Sequence, residues 1–287
     1  VTDTSVEELA RMMVGRDVAF LARSEGGEPG EAALEVEDLL VAGVGGVPAV
    51  LGVSLTVQAG EILGIAGVSG NGQTELIEAI TGLRPVEGGS IRLLGQDVTQ
   101  SLVCERRKLG MAHIPEDRLR LGLNLEASLE ENLLLTCYSE VPYSGRGLLR
   151  PGAVRQMAQD AIDRFGIAAA GVGSGISTLS GGNLQRVVLG RELSGAPRLI
   201  VANQPTRGLD VSSIQYVHRV LLEARDRGVA VLLVSVELDE IMKLSDRIVV
   251  LFRGRIAGQM ACESATEERL GLLMAGVTAT ERADTSG

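Results

Sequence analysis

The stretch "LSGGNLQRVVLGREL", residues 179–193, decides how this chain folds. Ser180, Gly181 and Gly182 stand just ahead of a run in which Val187, Val188, Leu189 and Leu193 recur at helical spacing, which predicts a helix beginning near Asn183. A hydroxyl, two glycine amides with no side chain in the way and the positive end of a helix together suit an anion. A serine N-cap followed by glycines also starts helices that bind nothing. The neighbouring sequence has to choose between these readings.

Downstream lies "LIVANQPTRGLD", residues 199–210. An apolar strand ends in Asn203 and Gln204, and a Pro-Thr pair and a Gly-Leu turn lead to Asp210. Upstream, the apolar strand "EILGIAG" (61–67) runs into "GVSGNGQT", Gly67 to Thr74. The phosphate-loop pattern G-x-x-x-x-G-K-[ST] is met at Gly67, Gly72 and Thr74, but Gln73 stands where the lysine belongs. Such a loop, here carrying Gly70 and Asn71, turns backbone N–H groups toward a phosphate. Thr74 is placed to ligate Mg²⁺. Gln73 keeps a polar side chain and loses the charge. The alternative is a purely structural glycine turn.

These stretches, in this order, resemble the nucleotide-binding domains of ATP-binding-cassette (ABC) transporters: phosphate loop at 67–74, "LSGGQ"-like signature at 179–183, Walker-B-like strand at 199–203 and D-loop-like "GLD" at 208–210. The resemblance covers about residues 33–262. It implies an α/β fold with a RecA-like, mostly parallel core sheet, an antiparallel β subdomain and a helical signature subdomain at about 124–195. It also implies ATP and Mg²⁺ as ligands, bound between two domains arranged head to tail, the phosphate loop from one and the signature from the other. Ser180, Gly181, Gly182 and Asn183 would then act in trans, with Asp210 in the D-loop.

Against that pattern the chain is degenerate. Gln73 replaces the phosphate-loop lysine, Asn203 the Walker B aspartate, Gln204 the glutamate that polarises water, and Val236 the switch histidine. No glutamine in "GMAHIPEDR" (110–118) matches the Q-loop, and no aromatic precedes the first strands to stack on adenine. No catalytic residue is intact, and an amide cannot be a general base. The wordings "PTRGLDV", "HIPEDR" and "LSGGNLQ" resemble the C-terminal half of tandem ATP-binding proteins of bacterial sugar and nucleoside importers, with "NQP" and "GNGQTE" nearest the nucleoside branch. That implies a partner in the N-terminal half of the same polypeptide or a second nucleotide-binding domain, transmembrane permease subunits, a substrate-binding protein acting indirectly, and a place on the cytoplasmic face of the plasma membrane.

Composition agrees with a folded, non-nucleic-acid-binding domain. Of 287 residues, 45% are hydrophobic and 2% aromatic, so aliphatic side chains must build the core. A net charge of −10 opposes nucleic-acid binding, which needs phosphates neutralised. Three scattered cysteines and two histidines suggest neither a zinc site nor a disulfide framework and fit a reducing compartment. No apolar run reaches membrane-spanning length. Residues 1–32 read as the end of a preceding domain plus a Gly/Glu/Pro-rich linker, with Ser5 and Glu8 as a capping box, or as a natural N-terminal extension. Residues 263–287 read as a C-terminal helix and tail. Two other functions stay open at this point: a soluble ABC-type protein acting on ribosomes or DNA, and a structural pseudo-ATPase that binds no nucleotide.

Overall fold

The structure, a computed structural model, describes residues 30–277, so the capping box at Ser5 and the linker at 23–29 lie outside the described residues. The centre is a six-stranded sheet in the order β12 (Arg255–Ala261), β11 (Arg247–Phe252), β3 (Ile62–Ala66), β10 (Ala230–Ser235), β9 (Leu199–Asn203), β6 (Met111–Ile114). All neighbours are parallel except β12, which turns back on β11. The central strands read as unbroken apolar runs because both faces are covered. Along β3, Ile62 and Ala66 join one core while Leu63 and Ile65 join the other. β9 does the same, with Ile200 and Ala202 on one side and Leu199 and Val201 on the other.

One layer holds α1 (Gln73–Thr81) and an antiparallel sheet in the order β2 (Pro48–Gln58), β1 (Ala32–Ala42), β4 (Gly88–Leu93), β5 (Gln96–Asp97). Leu76, Ile77 and Ile80 of α1 pack there with Leu34, Val36 and Val53. Each such side chain, fully buried, contributes about 1.5–3 kcal/mol. The carboxyl end of α1 is held by Arg106, from α2 (Val103–Lys108), whose Nη1 donates at 2.6 Å to the carbonyls of both Ala79 and Ile80. A cation at a helix C-terminus opposes the macrodipole. The guanidinium thereby fixes the helix that the phosphate loop opens into.

The other layer holds α5 (Gly181–Leu193), α6 (Val211–Asp226) and α7 (Leu238–Leu244), whose Val187, Val188, Leu221 and Ile241 pack on the sheet. A helical arm projects from this layer. It comprises α3 (Leu129–Leu134), α4 (Pro151–Phe165) and the N-terminal part of α5, plus a two-stranded hairpin, β7 (Ser144–Gly145) with β8 (Leu148–Leu149), that periodicity did not foretell. The short α8 (Glu267–Met274) follows β12 and buries Leu270. Glu192 stitches the arm's helix to the sheet. Its buried carboxylate accepts from Arg107 Nη2 at 2.6 Å, Arg191 Nε at 2.9 Å and the His113 amide at 3.1 Å. Among the described residues no helix is long and apolar enough to cross a membrane.

Candidate nucleotide-binding site

Of the segments singled out by sequence, the glycine loop, the turn after Asn203 and Val236 leave the carboxyl ends of β3, β9 and β10, where open α/β sheets place their ligands. After β3 the chain turns through Gly67–Gly72 and enters α1 at Gln73. Gly72 has φ +99°, and a Cβ there would run into the Ala49 carbonyl, so only glycine lets the loop lie against β2. Space over Gly70 is open and Thr74 is exposed. The Asn71 side chain donates to the Val68 carbonyl at 3.0 Å and accepts from the Arg253 amide at 2.8 Å, tying the loop to the β11–β12 turn.

Gln73 does not reach out of the loop. Its Nε2 donates to the Val68 carbonyl at 3.1 Å and its Oε1 accepts from the Asn71 amide at 3.1 Å, leaving the residue 7% exposed. The side chain at the lysine position therefore braces the loop from inside. Space over the loop at Gly70 stays open, and the side chain at position 73 is neutral.

At the end of β9, Asn203 is 5% exposed and Gln204 turns the chain with a left-handed φ of +45°. Non-glycine residues held there cost about 1–3 kcal/mol and cluster at functional sites. The Gln204 amide donates to the Val234 carbonyl at 2.7 Å, and its side-chain Nε2 donates to Glu116 Oε1 at 3.0 Å. The same Glu116 oxygen is ion-paired with Arg207 Nη1. Glu116 follows β6 and was missed by sequence reasoning. The available signal was its place just past a strand that runs beside β9. Ser69, Gln204, Leu209, Val236, His218 and Glu240 line one cleft of about 510 Å³, so the phosphate loop, the turn after β9 and the Val236 position meet. Within it the buried Glu240 accepts from Thr206 Oγ1 at 2.8 Å and lies 3.0 Å from His218 Nε2.

The signature residues lie outside that cleft and group with the D-loop. Ser180 caps α5: its Oγ accepts from the Asn183 amide at 3.4 Å and from Asn183 Nδ2 at 2.9 Å. Gly181 is exposed at the helix start. A side chain at Gly182 would meet Ser213 Oγ, so the glycine leaves that hydroxyl its place beside Asp210. Asp210 caps α6 and accepts from Ser212 Oγ at 2.6 Å, the Ser213 amide at 3.0 Å and Ser213 Oγ at 2.9 Å. Those hydrogen bonds, from Ser212 first, hold its carboxyl down at about 2. Arg118 joins both groups, donating to the carbonyls of Arg207 at 2.7 Å and Gly208 at 3.3 Å beside Gly181.

A model of the ABC transporter family matches residues 50–207, from β2 across the phosphate loop and signature to the turn after β9. The chain belongs to the ABC transporter family. A guanosine import ATP-binding protein of Bacillus subtilis is 45% identical over 100% of this chain and 56% of its own length. A nucleoside import ATP-binding protein of Lactococcus lactis is 44% identical over 96% of this chain and 54% of its own length. The chain thus spans about half the length of these relatives. An ATP-binding cassette solved as a dimer in a post-hydrolysis state with ADP and phosphate superposes with a TM-score of 0.68 at 21% identity, covering 80% of this chain and 98% of that one. The fold is the ABC ATPase fold, with its parallel core sheet, antiparallel sheet and helical arm.

Proposed function

We propose that the chain is the degenerate C-terminal half of an ATP-binding protein that drives a bacterial importer of nucleosides or sugars. It holds nucleotide weakly at a hydrolysis-deficient phosphate loop and lends its signature to the catalytic site of the partner half. The observation that carries this reading is the contrast between the two groups of residues. The signature and D-loop are fully built, with Ser180 and Asp210 capping their helices and Gly181 exposed. The cleft belonging to this chain's own phosphate loop has Gln73 turned inward and amides at Asn203 and Gln204.

The fit to nucleotide is one-sided. The amides of Gly67–Thr74, the open space over Gly70 and the N-terminus of α1 suit a phosphate. Mg²⁺ would find the exposed Thr74 hydroxyl and the Asn203 amide, neutral donors for a hard cation that prefers carboxylate and phosphate oxygens. ATP supplies the phosphoryl group whose hydrolysis powers transport. The part played by this chain is to cap an ATP held by the partner half, through Ser180 Oγ and the Gly181 and Gly182 amides. The length of the relatives supports a tandem arrangement, since this chain matches about half of each. Docking on a permease is supported by exposed apolar side chains along the arm, among them Tyr138, Val141 and Leu148. Guanosine import and nucleoside import, the functions of the two relatives described above, favour nucleosides over sugars as cargo.

The test is Gly181→Asp in the assembled protein with its permease in vesicles. A carboxylate at this exposed helix start would meet the phosphate it should cap, so ATP-driven uptake is lost while ATP binding by the partner half persists. Normal uptake by this variant refutes the in-trans role.

A further inference from the structure

We infer that Glu116 is a positioning residue of the cleft, and that it works with Gln204 as one carboxylate–amide couple: Glu116 holds the Gln204 amide and the Arg207 guanidinium, and so fixes the turn that leads from β9 to Asp210. The arrangement follows from strand register. β6 and β9 are parallel, with Ile114 beside Ala202, so Glu116 and Gln204 stand two residues beyond a paired position on adjacent strands. Their side chains meet at 3.0 Å, Gln204 Nε2 donating to Glu116 Oε1. Arg207 Nη1 lies on the same oxygen, while Arg118, two residues past Glu116, holds the Arg207 and Gly208 carbonyls from the other side. The turn is thus gripped by one anion and one cation from a single segment. Gln204 needs the grip, because its backbone is left-handed.

The couple explains why position 204 carries an amide. A carboxylate only accepts hydrogen bonds, whereas an amide also donates. A glutamate at 204 would set two acceptor-only, negatively charged groups on one hydrogen bond, and one of them must take a proton or turn away. Gln204→Glu alone therefore dislocates the turn rather than restoring a carboxylate to the end of β9. The double exchange Glu116→Gln with Gln204→Glu keeps one carboxylate and one donor, and preserves the contact.

The test compares the wild-type chain with Gln204→Glu, Glu116→Gln and the double exchange, and needs no nucleotide. Its outcome is therefore separate from whether the cleft binds ATP. The thermal midpoint of Gln204→Glu is expected to fall by about 2–4 °C near neutral pH. The double exchange is expected to match wild type. Limited trypsin digestion supplies the local readout. In Glu116→Gln, cleavage after Arg207 accelerates several-fold relative to cleavage after Arg253, which a general loss of stability would not produce. A Gln204→Glu midpoint equal to wild type, a double exchange no better than Gln204→Glu, or unchanged relative cleavage after Arg207 overturns the inference.

Discussion

Replacing Gln73 by lysine separates two roles that this side chain now combines. In the structure its amide spans the loop, donating to the Val68 carbonyl and accepting from the Asn71 amide, each at 3.1 Å. Lysine can donate to Val68 and cannot accept from Asn71. One neutral hydrogen bond is lost, a cost of about 0.5–1.5 kcal/mol to the folded chain. That corresponds to a fall of roughly 1–6 °C in thermal midpoint for a domain of this size. Against nucleotide the change runs the other way. A charge-assisted hydrogen bond to phosphate contributes about 1.5–3 kcal/mol, which tightens ATP binding about 10- to 100-fold. Calorimetric titration with Mg-ATP, run beside thermal unfolding of the same samples, reads both effects. A less stable variant that binds ATP no better than wild type would mean that the loop does not face a phosphate, and the placement of nucleotide at Gly67–Thr74 would fall.

The isolated chain should release phosphate from ATP no faster than background, because Asn203 and Gln204 offer no carboxylate and no partner phosphate loop is present; steady-state turnover typical of an ABC ATPase would refute this. Acid should weaken the fold through His113, which burial holds down at about 4 against an ordinary 6.5, with Glu192 opposing that shift and Arg107 and Arg191 adding to it. Below 6.5 the unfolded chain takes up a proton that the folded chain refuses, so stability is lost as pH falls from about 6.5 to about 4, by about 2 kcal/mol at pH 5 from this group. Urea unfolding of wild type and His113→Asn at neutral pH and near pH 5 checks it, and an equal acid loss in both proteins removes His113 as the cause.

The fold was legible because its signals are local. Unbroken apolar runs mark β3, β9 and β10, and the first two are followed by Gly- or Pro-containing turns. Positions 73, 203 and 204 could be placed for the same reason, since each sits at a fixed offset from a recognisable strand end. Glu116 and Arg118 were hidden. Their meaning depends on β6 lying beside β9, a pairing between segments about 88 residues apart that periodicity does not specify. Gln73 was half legible: its identity showed that the cation is gone, but only the geometry showed the amide turned inward to brace the loop. The β7–β8 hairpin in the arm was missed because two-residue strands leave no periodic trace.

The pattern of what is kept bears on why such a chain would persist. Side chains that would face nucleotide in this chain's own cleft, at positions 73, 203, 204 and 236, are uncharged. Groups that would act on another domain's nucleotide remain in place and are supported from behind. Gly182 leaves room for Ser213, Ser213 fixes Asp210, and Arg118 holds the D-loop carbonyls beside Gly181. Uncharged side chains on one side and close fitting on the other are what the proposed in-trans role demands. That proposal also gives the grip of Glu116 and Arg118 a purpose: the turn they hold joins the cleft to the surface that the partner half would meet.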